Sequence, residues 1–139
     1  MESPALSLND VPVFVPDVDN WTQPNCNYIN VEELPVLSCI SFTVLMLNIR
    51  SCKKNFNQFL AYFCNVISYF SCILLTETWL TADVDNVFDI PGFYCFNVYR
   101  NRYGGGLKMY LKNCIEARIL HDFTFVNQLF EVMTVEILF

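Results

Sequence analysis

Leu47-Asn48-Ile49-Arg50-Ser51 and, further along, Leu74-Leu75-Thr76-Glu77-Thr78-Trp79-Leu80 are the two stretches whose reading decides the fold. Each carries a polar residue at the end of an apolar run. Phe42 to Leu47 leads into Asn48, and Ile73 to Leu75 leads through Thr76 into Glu77. Continuous apolar runs rich in β-branched and large side chains suit strands covered on both faces, so Leu37 to Leu47 and Ser71 to Thr76 read as two such strands, the first too long for a simple edge strand. Between them Phe56, Phe59, Leu60, Phe63 and Ile67 recur at helical spacing, which predicts a helix over 55–67 with Asn55 as its N-cap. A strand, helix, strand series of this length favours a right-handed parallel unit. That return places Asn48 and Glu77 at the same edge of one sheet.

Working outward, Asp83, Asp85, Asn86 and Asp89 predict a loop or short helix, and Pro91-Gly92 a turn into a strand over 93–99. Gly104 to Gly106 break the pattern. Their spacing fits neither a P-loop nor a dinucleotide fingerprint, so a tight or bulged approach to the next strand is the better reading. Residues 107–112 alternate apolar and polar, as a half-exposed strand does. Weaker strands are expected at 116–120 and 131–139. From Met1 to about Pro35 the chain holds every proline except Pro91, many Asp and Asn residues and only short apolar pieces. This reads as an acidic, extended leader (1–35) ahead of one domain (36–139).

An apolar fraction of 54% with 16% aromatics supplies ample material for one core in 139 residues. The mean hydropathy of +0.34 is high for such a domain. It implies either a membrane contribution or apolar faces awaiting partners. The net charge of −6 comes from the leader: Glu2, Asp10, Asp17, Asp19, Glu32 and Glu33 leave the rest with eight acids (14 − 6) and eight bases. A neutral remainder exerts no long-range pull on DNA, so charge alone argues for no nucleic-acid partner. The seven cysteines form no C-x-x-C pair, which disfavours a zinc site, and their apolar surroundings read as buried free thiols in a reducing, intracellular compartment, cytoplasmic or nuclear. The sequon Asn20-Trp21-Thr22 lacks a basic and apolar signal before it and is expected to be silent.

Glu77 is the first candidate for chemistry. An ionised carboxylate straight after a buried strand is costly unless a cation or donors stand beside it, and Mg²⁺ takes such oxygen ligands while keeping waters for a phosphate to replace. A solvated loop acid is the bland alternative. Asn48 offers a donor and an acceptor for a metal-bound water or phosphate oxygen, or else satisfies its own backbone in a turn. Arg50 and Ser51 either contact phosphate or lead into the helix. Arg100 either holds a phosphate by paired hydrogen bonds or is an exposed structural arginine. His121 has no nucleophile or acid in motif context around it and reads as structural.

The ordered series NIRS, LLTETWL, R-N-R-Y-G-G-G-L-K-M-Y-L-K over 100–112 and E-V-M-T-V-E-I over 131–137 resembles the first half of the endonuclease domain of non-LTR retrotransposons, within the endonuclease/exonuclease/phosphatase (DNase I-like) family. The resemblance covers roughly 27–139. It implies an α/β fold, a partial DNase I-like sandwich of mixed sheet with flanking helix, incomplete at the C-terminus. It implies Mg²⁺-dependent nicking of DNA, with Asn48 and Glu77 at the catalytic metal site and Arg50 and Arg100 on phosphate, and no small-molecule substrate. Cys52 departs from the family, whose members usually carry leucine there. The family's later tyrosine, D-x-N pair, aspartate and S-D-H element have no counterpart before Phe139. The expectation is therefore a fragment that binds Mg²⁺ weakly, is inactive alone and associates through an exposed sheet face. Two alternatives compete: a membrane protein with one span over 59–75, a stretch without a charge but diluted by polar residues, and a non-catalytic binding module.

Overall fold

The computed structural model describes residues 42–138. Strand β1 (Val44–Asn48) is followed by helix α1 (Cys52–Phe63), a short 3-10 turn (Ile67–Tyr69) and β2 (Cys72–Thr76). After a 3-10 segment at Ala82–Phe88 come β3 (Phe93–Val98) and β4 (Leu107–Lys112). These four strands form a mixed sheet in the order β1-β2-β4-β3: β1 and β2 are parallel, and β4 is antiparallel to both of its neighbours. The α/β class with a mixed sheet and a flanking helix is thus present. The chain continues through β5 (Glu116–Ile119), β6 (Phe125–Val126), β7 (Glu131–Val132) and β8 (Val135–Leu138), with β5 paired to β8 and β6 to β7.

One face of the four-stranded sheet carries the core. Ile73, Leu75 and Tyr110 meet Phe56 and Phe59 of α1 and Phe88 of the 3-10 segment, with Phe56 and Phe88 edge to face at 5.3 Å. Each such side chain removed from water contributes roughly 1.5–3 kcal/mol. The other face is less covered on β1, where Val44 is 49% and Met46 68% exposed. The expected double cover of the first strand is therefore corrected. Among the described residues β1 is an edge strand with alternating burial, and the part of the expected strand at 37–41 lies outside them.

The helix begins earlier than its sequence cap. Ser51, at φ 87°, precedes it without a side-chain cap, and Asn55 sits in its first turn. The Asn55 carboxamide instead donates to the carbonyls of Ile49 (2.7 Å) and Arg50 (2.9 Å), bracing the tight link from β1. The helix ends at Phe63 rather than Ile67. Residues 59–75 are accordingly divided among a helix end, turns and β2. No helix among the described residues is long and apolar enough to cross a membrane, so the span expected there is not formed.

Strand β4 overturns the half-exposed reading. It lies inside the sheet, and Lys108 is 0% exposed. Its ammonium donates to Asp85 Oδ1 at 2.5 Å and lies 3.3 Å from Cys95 Sγ, while Asp85 Oδ2 accepts from Asn97 at 2.7 Å. A buried lysine persists when a carboxylate answers it, and the 3-10 segment brings that carboxylate. The strand expected over 131–139 is in fact two, in different sheets. Thr134 makes the switch: its N–H donates to Thr124 Oγ1, its hydroxyl donates to the Phe123 carbonyl, and its own carbonyl accepts from Leu120. The five cysteines within the described residues are free, yet only Cys52 and Cys72 are buried; Cys64 and Cys114 are exposed and Cys95 is half-buried.

Candidate functional site

The ends of β1 and β2 stay in register past the strands themselves. Asn48 is paired with Thr76, and beyond it the amides of Ile49, Ser51 and Cys52 donate to the carbonyls of Thr76, Glu77 and Thr78 at 2.8–3.0 Å. The parallel crossover therefore does bring Asn48 and Glu77 to neighbouring strand ends. This rim is also where the backbone is strained. Arg50 (φ 48°), Ser51 (φ 87°), Glu77 (φ 56°) and Trp79 (φ 54°) are the non-glycine residues with positive φ among those described. Each such residue costs of order 1 kcal/mol, and such costs gather where a site must be shaped.

Glu77 is held from two sides. Its Oε2 accepts the indole N–H of Trp79 at 2.9 Å and the amide N–H of Gly105 at 3.0 Å. The Trp79 hydrogen bond first, then that of Gly105, with Arg100 and Arg50 adding positive charge, hold this carboxyl below its ordinary pKa. Glu77 is thus an ionised, partly exposed carboxylate, neither buried without donors nor a free loop acid. Its Oε1 takes no hydrogen bond among the described residues.

The glycines supply this arrangement. Gly105 (φ 72°) and Gly106 (φ 88°) turn successive amides toward the rim, and their carbonyls accept from Trp79 (3.0 Å) and Thr78 (3.2 Å). The Gly106 amide donates to Glu131 Oε1 at 3.4 Å, and Arg100 Nη1 reaches the same oxygen at 3.3 Å. Arg100 also donates to the carbonyl of Gln128 at 2.6 Å. Successive amides pointing one way make a concavity suited to anions, here filled by the protein's own carboxylates.

The other residues singled out in the sequence stand in plainer surroundings. Asn48 Oδ1 accepts the amide of Arg50 at 3.1 Å, closing a local turn, and Asn48 also borders a shallow groove with Asn55, Gln58 and Tyr62 of α1. Arg50 is exposed, close enough to Glu77 to lower its pKa. Arg100 is partly satisfied by Glu131. His121 is exposed in a 3-10 turn (His121–Phe123). Glu131 is the residue that sequence reasoning missed as a site member; only the pairing of β6 with β7 brings it to Arg100, 31 positions earlier.

No group of three or more metal-ligating side chains occurs among the described residues. One ionised carboxylate, Glu77, with an oxygen that takes no hydrogen bond among the described residues, is compatible with a hard cation that keeps most of its waters, since Mg²⁺ can bind through one or two carboxylates plus substrate phosphate. Glu77 would hold it. A bound cation would supply positive charge for a phosphate oxygen here. No protein-family model matches the chain and no curated protein is a significant match.

Proposed function

We propose that this chain carries the first half of a DNase I-like phosphodiesterase domain of the kind non-LTR retrotransposons use to nick target DNA, exposing a primer end for reverse transcription. The observation that carries the reading is the Glu77 carboxylate, fixed ionised at a strained strand end by Trp79 and Gly105, with Arg100 and Arg50 beside it. A carboxylate kept charged beside Arg100 and Arg50 suits a cation–phosphate pair.

This reading divides the work among the rim residues. Glu77 holds Mg²⁺, Arg50 and Arg100 draw the DNA backbone to the rim, and Asn48 fixes the turn that presents Arg50. The other carboxylate described at the rim, Glu131, is paired with Arg100 and the Gly106 amide. Hydrolysis needs a positioned group that takes the proton from water, so the share of this chain is binding rather than turnover. The deciding experiment is retention of a short DNA duplex with Mg²⁺ and with EDTA, on the full chain and on Glu77→Gln. Mg²⁺-dependent retention lost in Glu77→Gln is expected, with supercoiled plasmid left essentially intact. Equal retention with and without metal overturns the proposal.

A further inference from the structure

The two carboxylates at the glycine amides are held unequally. Glu77 has two short hydrogen bonds to one oxygen, at 2.9 and 3.0 Å. Glu131 has two long ones, 3.3 Å from Arg100 and 3.4 Å from Gly106, again to one oxygen. The Arg100–Glu131 pair is open to solvent on the arginine side, with 31% of that side chain exposed. The carboxylate side is more enclosed, with 11% of the Glu131 side chain exposed, so what sets this pair apart from that of Glu77 is the length of its two hydrogen bonds. Glu131 also opens β7, a strand of only two residues. Its carboxylate thus makes only long contacts, while the guanidinium it touches is braced independently by the Gln128 carbonyl at 2.6 Å.

We propose that Arg100 and the Gly106 amide form a binding site for a single phosphodiester phosphate, and that Glu131 is a stand-in anion which the phosphate displaces. The inference rests on reading the Glu77 rim as a phosphodiester site. A phosphodiester brings two unesterified oxygens, one for the guanidinium and one for the amide, where Glu131 applies one oxygen to both. The position is productive as well. The next amide along, that of Gly105, holds Glu77, so a phosphate on Gly106 stands beside the carboxylate proposed to carry the cation. Glu131 then sets specificity: anions that cannot outcompete it leave it on Arg100 and the Gly106 amide.

The test is titration of the ¹⁵N-labelled full chain with dimethyl phosphate, following the Gly106 amide and Arg100 side-chain signals. Those signals should move in the unaltered protein, and Glu131→Gln should tighten binding about fivefold or more, the usual scale of a coupling between competing contacts. Arg100→Ala should abolish the response. If Glu131→Gln fails to fold, Glu131→Asp, whose shorter arm withdraws from Arg100, should tighten binding in the same direction. Unchanged or weaker binding in the folded variant, or shifts confined to other amides, overturns the inference. Mg²⁺-dependent duplex retention without these shifts sinks only the stand-in role of Glu131. Phosphate binding at Gly106 with no Mg²⁺ dependence sinks the nuclease reading instead.

Discussion

Glu77 and Glu131 accept hydrogen bonds from adjacent amides: Oε2 of the first takes the N–H of Gly105 at 3.0 Å, and Oε1 of the second takes the N–H of Gly106 at 3.4 Å. Two like charges converge because positive-φ glycines aim successive donors the same way and because Arg100 stands against one of them. The rim is therefore electrostatically balanced by backbone dipoles as much as by side chains. Its shape depends on residues without a Cβ.

Gly105→Ala should be severe for that reason. A Cβ there falls 2.0 Å from Glu131 Oε1 and 2.6 Å from Arg100 Cδ, on a backbone with φ +72°. Left-handed strain and steric overlap together should cost roughly 2–4 kcal/mol. Gly104→Ala, with open space and no positive φ, should stay within about 0.5 kcal/mol. Urea midpoints of the two variants give the comparison, and equal losses would mean that the glycine geometry is not a constraint.

Asp85→Ala should unfold the chain more readily than any surface change, because it strands the ammonium of Lys108 in the core. Removing one partner of a buried pair costs roughly 3–5 kcal/mol. Adding Lys108→Met to Asp85→Ala removes the orphaned charge and should recover most of that loss. Denaturant unfolding of the single and double variants measures it; a double variant no more stable than the single one would show that Lys108 reaches water by another route.

The sequence made the parallel β1–α1–β2 unit legible because its determinants are local: apolar runs for the strands and helical spacing at Phe56, Phe59 and Phe63. It also placed Asn48 beside Glu77, since a parallel return brings both strand ends to one edge. Local pattern failed where a distant residue decides. Lys108 looked solvent-facing by alternation, and only Asp85 from another element makes its burial tolerable. Asn55 looked like a cap, yet it braces the carbonyls of Ile49 and Arg50 because the chain enters the helix through two left-handed residues. Glu131 carried no signal of its own, as its partners are fixed by strand pairing far from it in the chain.

Thiol reactivity should divide the described cysteines. Burial pushes the thiols of Cys52 and Cys72 up to about 11, so at about pH 8 only a small fraction is thiolate, the species that reacts. Cys64 and Cys114 are exposed. Iodoacetamide followed by peptide mass mapping should label Cys64 and Cys114 first, with Cys52 and Cys72 reacting only after denaturant is added. Early labelling of Cys52 would mean that α1 separates from the sheet in the native ensemble, since Cys52 opens that helix beneath the Glu77 rim.

Acid should weaken the rim before it weakens the core. The Trp79 and Gly105 hydrogen bonds lower the carboxyl of Glu77 from 4.5. The unfolded chain therefore takes up this proton first, and the stabilisation is fully present above about pH 4.5 and is lost as pH falls through the lower, folded value. Glu77→Gln lacks the ionisable group. Its stability deficit relative to the unaltered chain should shrink on going from about pH 6 to about pH 3. Trp79→Phe removes the largest cause of the shift, so NMR titration of the Glu77 side chain in that variant should show its midpoint moving back up toward 4.5. A midpoint at or above 4.5 in the unaltered chain would mean that the carboxylate is not held by these donors, and the cation–phosphate reading would lose its anchor.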